Sequence, residues 1–417
     1  MTQAPTQTAA ASRPPMLTMA EALAALMAGV RPLTATETVD TLDANGRVLA
    51  APVTSTLRVP PADNTSMDGY VMRAADVPAP GTRLPVSQRI PAGHVGTALA
   101  AGTAARIFTG GLIPPGADAV VMQEQCVADG DAVIVNHVPA SGEWIRRAGE
   151  DIETGAEILP AGTRLTPQAL GLAASVGQAK LDVVRRVRVA VFFTGDELAM
   201  PGEPLKPGAI YNSNRFTLRG LLENLGCEVS DFGIVPDTLA ATRDTLRRAA
   251  EGCDLIITSG GVSVGEEDHI RPAVQAEGRL DLWQIAIKPG KPLAFGQVSN
   301  GSDNPAHFLG LPGNPVSSFV TFLLFVRPFI LRLQGVADVT PRRLPLRADF
   351  DLARGDRRNE FLRARLNDAG GLDLFPNQSS GVLTSTVWGD GLIDNPPNQT
   401  IRRGDTVQFI PFDGLLG

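Results

Sequence analysis

Asp254-Leu-Ile-Ile-Thr-Ser-Gly-Gly-Val-Ser-Val-Gly-Glu-Glu-Asp268 is the stretch that decides the fold. Leu255, Ile256 and Ile257 form a short apolar run stopped by hydroxyls and two glycines, as a buried parallel strand reads where it ends. The following loop has no bulk near its backbone. Gly260 and Gly261 allow positive φ, and the hydroxyls of Thr258, Ser259 and Ser263 with nearby N–H groups can surround an anion. Glu266, Glu267 and Asp268 add carboxylates beside that nest, an arrangement suited to a phosphate with a divalent metal. A plain reading stands alongside it: a glycine turn from strand to helix, with acids favouring the helix N-terminus.

Outward from this stretch, strands alternate with helices. Val187–Phe193 reads as a strand ending in Thr194-Gly-Asp-Glu-Leu198, and Asn214–Leu225 as a helix with Leu218, Leu221, Leu222 and Leu225 on one face. Cys227–Val235 is a strand, and Thr238–Ala250 and Ile270–Ala276 are helices. Such alternation predicts a mainly parallel sheet covered on both faces, with ligands beyond the C-terminal strand ends. Phe308-Leu-Gly-Leu-Pro-Gly-Asn-Pro-Val-Ser-Ser-Phe319 supplies a second anion candidate. Asn314 suits the N-cap and Pro315 the first helical position, leaving the N–H groups of Val316, Ser317 and Ser318 pointing outward. An ordinary capped helix is the plain alternative. Ile287-Lys-Pro-Gly-Lys-Pro292 places the ammonium groups of Lys288 and Lys291 on a stiff turn.

The remaining chain frames this α/β block. Residues 1–15 read as a disordered tail, and Thr18 caps a helix carrying Leu23, Leu26 and Val30. A second helical piece is expected over Thr34–Asp43. Residues 16–55 and 146–182 are grouped as a discontinuous N-terminal domain, with residues 56–145 as an inserted β module of short strands broken by Gly and Pro. Residues 183–335 form the α/β domain and 336–417 a C-terminal β barrel. Arg357, Arg358 and Arg363 are expected as a basic patch around Phe361, or as a solvated strand face.

Composition narrows the function. With 417 residues, several domains are expected, and 43 glycines with 33 prolines imply many turns. A net charge of -7 and a pI near 5.3 argue against general nucleic-acid or membrane-surface binding. Cys126, Cys227 and Cys253 lie far apart and the four histidines form no ligand-spaced set, so neither a disulfide framework nor a structural zinc is expected. The apolar run Phe319–Leu331, interrupted by Arg327 and Pro328, reads as a buried helix in a cytoplasmic protein.

Seven motifs in order carry a family resemblance: residues 63–70 (DNTSMDGY), 109–124 (TGGLIPPGADAVVMQE), 149–152 (GEDI), 194–198 (TGDEL), 259–265 (SGGVSVG), 287–292 (IKPGKP) and 311–317 (LPGNPVS). Together they resemble the molybdopterin molybdenumtransferases, related to the E domain of gephyrin. The resemblance implies an elongated homodimer that converts adenylylated molybdopterin and molybdate into molybdenum cofactor and AMP with Mg2+. The implied partners also include the molybdopterin adenylyltransferase and apo-molybdoenzymes. By position it makes Asp68, Glu197, Asp268, Thr109 and Asp151 catalytic, with Asp68, Glu197 and Asp268 as the metal-handling acids. It places Arg147 and Arg358, with Ser379 or Ser380, as oxyanion contacts. Phosphates are assigned to Ser259, Gly260, Gly261, Ser263, Lys288, Lys291, Pro312, Gly313, Asn314 and Ser317. One departure is Gln284 after Trp283, where some relatives carry Lys. Two competing readings are a molybdopterin adenylyltransferase, against which the flanking β modules count, and a non-catalytic scaffold of the gephyrin type. Scaffolding leaves buried carboxylates at Asp68, Glu197 and Asp268 without a reason.

Overall fold

The structure of the protein is a computed structural model that describes residues 16–261 and 269–416. Its contacts divide the chain into two compact units. One comprises the chain up to Glu37, Gly46–Val48 and everything from Val184 onward; the other comprises Thr38–Asn45 and Leu49–Val183.

The first unit opens with α1 (Met19–Ala28), started by a reciprocal capping box in which Thr18 and Glu21 satisfy each other's backbone N–H. Then come β1 (Arg188–Thr194), α2 (Ser213–Asn224), β2 (Glu228–Val235), α3 (Leu239–Gly252), β3 (Leu255–Ser259), α4 (Ile270–Glu277), β4 (Gly278–Gln284), β5 (Pro292–Val298) and β6 (Ala306–Leu311). They form one sheet in the order β2-β1-β3-β6-β5-β4. The first four strands are parallel, β5 is antiparallel to β6, and β4 is antiparallel to β5 and so runs with the parallel four. Residues that alternate along β3 explain both faces. Leu255 and Ile257 join a core with α1, α2 and the helix after β6, while Ile256 packs with α3 and α4 on the other side. That arrangement is the mainly parallel α/β fold expected from the alternation.

A continuous helix, α5 (Pro315–Leu333), follows β6 and is long and apolar enough to cross a membrane, yet nearly all of it is buried within the fold. Its middle, Phe322–Val326, widens to π geometry just before Pro328, whose ring removes an N–H. Helix α1 buries Ala22 and Leu26 in the same core and touches the last turns of α5. Sequence grouped it with residues 16–55 instead, because an amphipathic stripe does not name the surface it meets.

The unit closes with a β domain whose strands run Ile287–Lys288, β7 (Asn359–Leu366), β8 (Gly391–Asn395), β9 (Thr406–Pro411) and Leu344–Arg347 across the sheet. Arg363 on β7 is not part of a basic surface patch: it is 1% exposed, donating to Ser385 Oγ and to the carbonyls of Phe361 and Ser379. Burial pushes its guanidinium down to about 10. Arg363 shares the face of Phe361, opposite Leu362 and Ala364, on a strand buried on both sides, which was invisible in a run of charges.

In the second unit a six-stranded sheet runs Ala119–Met122, Gly69–Met72, Ala104–Ile107, Thr82–Ile90, Ala132–Val135 and Cys126–Asp129. A helix at Pro167–Ser175 starts from Thr166 as N-cap, with Pro167 at its first position. The helix expected over Thr34–Asp43 is absent. Thr36–Asp40 is a strand followed by a single 3-10 turn at Thr41–Asp43. Its β-branched Thr36, Thr38 and Val39 favour extension, and Thr38 Oγ1 donates to Asp182 Oδ1 at 2.6 Å.

Candidate active site

Three loops at the C-terminal ends of the parallel strands border one cleft of about 810 Å³, and the β domain supplies its remaining wall. From β1 come Thr194 and Glu197; from β3, Ser259, Gly260 and Gly261; from the β6–α5 junction, Pro312, Gly313, Asn314, Pro315 and Ser317. The Lys288–Pro292 turn, Arg358, Gln378, Ser379 and Ser380 complete it. Of the residues singled out from sequence, Glu197, Ser259, Gly260, Gly261, Lys288, Lys291, Pro312, Gly313, Asn314, Ser317, Arg358 and Ser379 therefore share one site. Ser263 and Asp268 lie outside the described residues. Asp68, Thr109, Arg147 and Asp151 lie in the other unit.

The glycine nest is more tightly tied than its sequence suggests. Gly260 has φ +98°, and a Cβ there would sit 3.3 Å from the Thr194 carbonyl, so glycine lets β3 turn against β1. Its N–H donates to the Leu311 carbonyl at 3.1 Å, leaving only the Gly261 N–H without an acceptor among the described residues. Ser259 Oγ donates to the Pro312 carbonyl at 2.9 Å and accepts from Asn214 Nδ2 at 2.8 Å. Asn214 also donates to the Gly313 carbonyl at 2.8 Å, joining the β3 and β6 loops through one amide. The Ser259 hydroxyl is therefore spent on loop geometry, and Thr258 is wholly buried, so neither is an anion donor as expected.

Helix α5 also departs from expectation. Asn314 occupies the N-cap position but its side chain accepts no cap bond. The Val316 N–H donates to the Ser380 carbonyl at 3.0 Å and the Ser318 N–H to the Asn314 carbonyl at 2.9 Å. Ser317 keeps the one N–H of the three with no acceptor among the described residues, at the positive end of a 19-residue helix. Sequence could not foresee the Ser380 carbonyl arriving from the β domain.

The cations behave unequally. Lys288 Nζ lies 3.0 Å from Glu360 Oε1 and 3.3 Å from Asp356 Oδ2. Burial works to lower its pKa, but those carboxylates outweigh it and the net shift is upward. Arg358 makes a two-pronged pair with Asp356, both contacts at 3.0 Å, which raises the guanidinium further and holds the acid well below the usual carboxylate range. Lys291 has no ion-pair partner among the described residues. Gly290, between these lysines, has φ +113°, and a Cβ would come within 2.4 Å of Thr321 Oγ1, so the turn lies directly against α5.

Among the described residues no three acids, histidines or cysteines converge as a metal cluster. Among the described residues Glu197 is the one expected metal-handling acid at the cleft, and there it is exposed with no hydrogen-bond donor. An unengaged carboxylate of this kind suits a hard divalent cation. Asp68 is only partly buried, so the argument from buried carboxylates does not hold for either acid. Asp68 Oδ1 accepts from the Thr109 N–H and hydroxyl, both at 2.7 Å, and these bonds lower its pKa. Arg147 Nη1 pairs with Asp63 at 2.6 Å in that unit, where Asp151 is exposed.

Three family descriptions match consecutive parts of the chain: the MoeA N-terminal region (domain I and II) over residues 17–177, a probable molybdopterin binding domain over 190–332, and the MoeA C-terminal region (domain IV) over 345–412. A molybdopterin molybdenumtransferase of Haemophilus influenzae is 38% identical over 412 residues, covering 96% of this chain and 100% of that one. The chain belongs to the molybdopterin molybdenumtransferase family. A Nostoc molybdopterin molybdenumtransferase is 38% identical over 385 residues, covering 89% of this chain and 88% of its own. The crystal structure of the molybdopterin biosynthesis moeA protein from Pyrococcus horikoshii OT3 superposes with a TM-score of 0.83 at 29% identity, over 95% of this chain and 100% of that one. Within the family frame, the cleft draws on the matched molybdopterin-binding region and, through Arg358 and Ser379, on the matched C-terminal region.

Proposed function

We propose that this cleft takes adenylylated molybdopterin and molybdate, inserts molybdenum into the pterin and releases AMP. The carrying observation is the convergence of the β3 turn, the α5 start, the lysine turn and Arg358 on one cleft of a molybdopterin molybdenumtransferase family chain. Among the described residues the N–H groups of Gly261 and Ser317 are backbone donors without an acceptor and are available to phosphate oxygens, whose charge the Lys291 ammonium offsets. Arg358 with Ser379 and Ser380 suits the tetrahedral molybdate, because guanidinium and hydroxyl donors match oxyanion geometry. Magnesium is the proposed ion, held on this cleft by Glu197; when bound it would supply charge neutralisation to the anhydride. Asp68, Thr109, Asp151 and Arg147 retain the parts the family resemblance gives them. A homodimer in the cytoplasm, served by the adenylyltransferase and serving apo-molybdoenzymes, completes the reading.

The test is AMP release from adenylylated molybdopterin by the whole protein, with molybdate and magnesium supplied together or singly. Release requiring both is expected, and chelation should stop it until magnesium is returned. No AMP from folded protein with everything present would overturn the reading.

A further inference from the structure

We propose that Glu360, a residue with no role assigned by the family motifs, is a positioning residue that sets both the place and the available charge of the Lys288 ammonium. The inference rests on the proposed reaction of the cleft. Glu360 sits on β7 with its side chain only 4% exposed, whereas Lys288 is 39% exposed at the cleft. The two are direct partners in a parallel ladder, Ile287–Lys288 pairing with Asn359–Glu360, so the backbone fixes the side chains opposite each other. Oε1 of Glu360 takes the ammonium at 3.0 Å. Its other oxygen accepts from the Asp356 N–H at 3.0 Å and faces Asn395 Nδ2 at 3.4 Å. A carboxylate anchored on its far side by two donors cannot follow the lysine outward.

The wider arrangement is a row of alternating charge: Glu360, Lys288, Asp356, Arg358. Two cations and two anions cancel, so the row brings no net positive charge to the cleft. A cleft that only needed to attract a phosphate would leave both cations unpaired, as Lys291 is among the described residues. The buried acid therefore trades substrate affinity for a fixed ammonium, a combination that serves turnover more than binding. Neutralising it should release Lys288 as an unrestrained cation.

Glu360→Gln keeps the shape and the acceptor for the Asp356 N–H while removing the charge. The expected result is a split: kcat falls about tenfold while KM for the anionic substrate falls a few fold. In a Lys288→Ala background the same substitution should change neither constant further, because the positioned group is gone. Equal losses of kcat in both backgrounds, or a raised KM with kcat unchanged, would overturn the proposal. If Glu360→Gln does not fold, Glu360→Asp carries the test: charge kept but withdrawn, kcat lowered, KM unchanged, and again no effect without Lys288. Equilibrium binding of molybdopterin separates this from the assigned reaction. Should wild-type protein release no AMP, that reaction fails, and Glu360 is still decided by whether Glu360→Gln binds molybdopterin more tightly than wild type only when Lys288 is present. Equal or weaker binding would overturn it.

Discussion

Asn214→Ala removes the amide that joins the loop after β3 to the loop before α5, and its cost can be worked from two contacts. Both bonds, to Ser259 Oγ and to the Gly313 carbonyl, are 2.8 Å long. Each is worth about 1 kcal/mol net, giving roughly 1–2 kcal/mol together. Ser259 retains its bond to the Pro312 carbonyl, so the loops loosen without detaching. If that energy is spent on holding the phosphate donors in place, kcat/KM for AMP release should fall by about 5–30-fold, at one factor of ten per 1.36 kcal/mol. The melting temperature should fall by roughly 2–8 °C for a unit of this size. The assay is AMP release at saturating and limiting substrate, with thermal denaturation of the same preparation. A lowered melting temperature with kcat/KM within about twofold of wild type would refute the reasoning, because the tie would then serve stability alone.

Gly260→Ala should cost about 1–2 kcal/mol and lower activity, since φ is +98° and the Thr194 carbonyl is 3.3 Å from the new methyl; Gly313→Ala, whose Cβ would meet Gly260 Cα at 3.5 Å, should melt within a degree or two of wild type, and equal melting of the two variants would contradict this. Lys291→Ala should weaken substrate binding most at low salt, with the gap to wild type shrinking as ionic strength rises, whereas a salt-independent gap would remove Lys291 from the phosphate site. His307 supplies a pH test of stability. Burial against Phe295 and Phe329 lowers its pKa, with Asp254 partly opposing, so the folded state disfavours the imidazolium. Its contribution is present above the unfolded value near 6.5 and is lost as pH falls below it, so melting temperature should drop between pH 7 and 5.5; His307→Gln should flatten that drop, measured by denaturation at each pH.

The α/β block was legible because its elements repeat a short-range rule. Leu218, Leu221 and Leu222 mark one face of α2, and Leu255–Ile257 mark a strand covered on both sides. The C-terminal strand ends then located the cleft, and most singled-out residues of this unit line it. What stayed hidden were partners brought from far along the chain. Lys288 and Arg358 read as free cations because Asp356 and Glu360 look like ordinary strand acids until Ile287–Lys288 is seen beside β7. Asn214 reads as one more polar residue at a helix start. The N–H groups of α5 looked open because the Ser380 carbonyl that fills one of them belongs to a different layer. Arg363 shows the reverse error: an ion in sequence, an interior brace in three dimensions.

The dipeptide Ile287–Lys288 has an arithmetic of its own. It leaves the α/β sheet after β4, contributes two residues to the neighbouring β domain, and returns as β5. Shearing the β domain away would tear out an edge of its own sheet and strip the lysine turn of its backing. Chimaeras spliced near residue 335 would thus exchange half a reaction chamber, and a donor and recipient whose residues at 288 and 360 had drifted apart should fold together but work poorly.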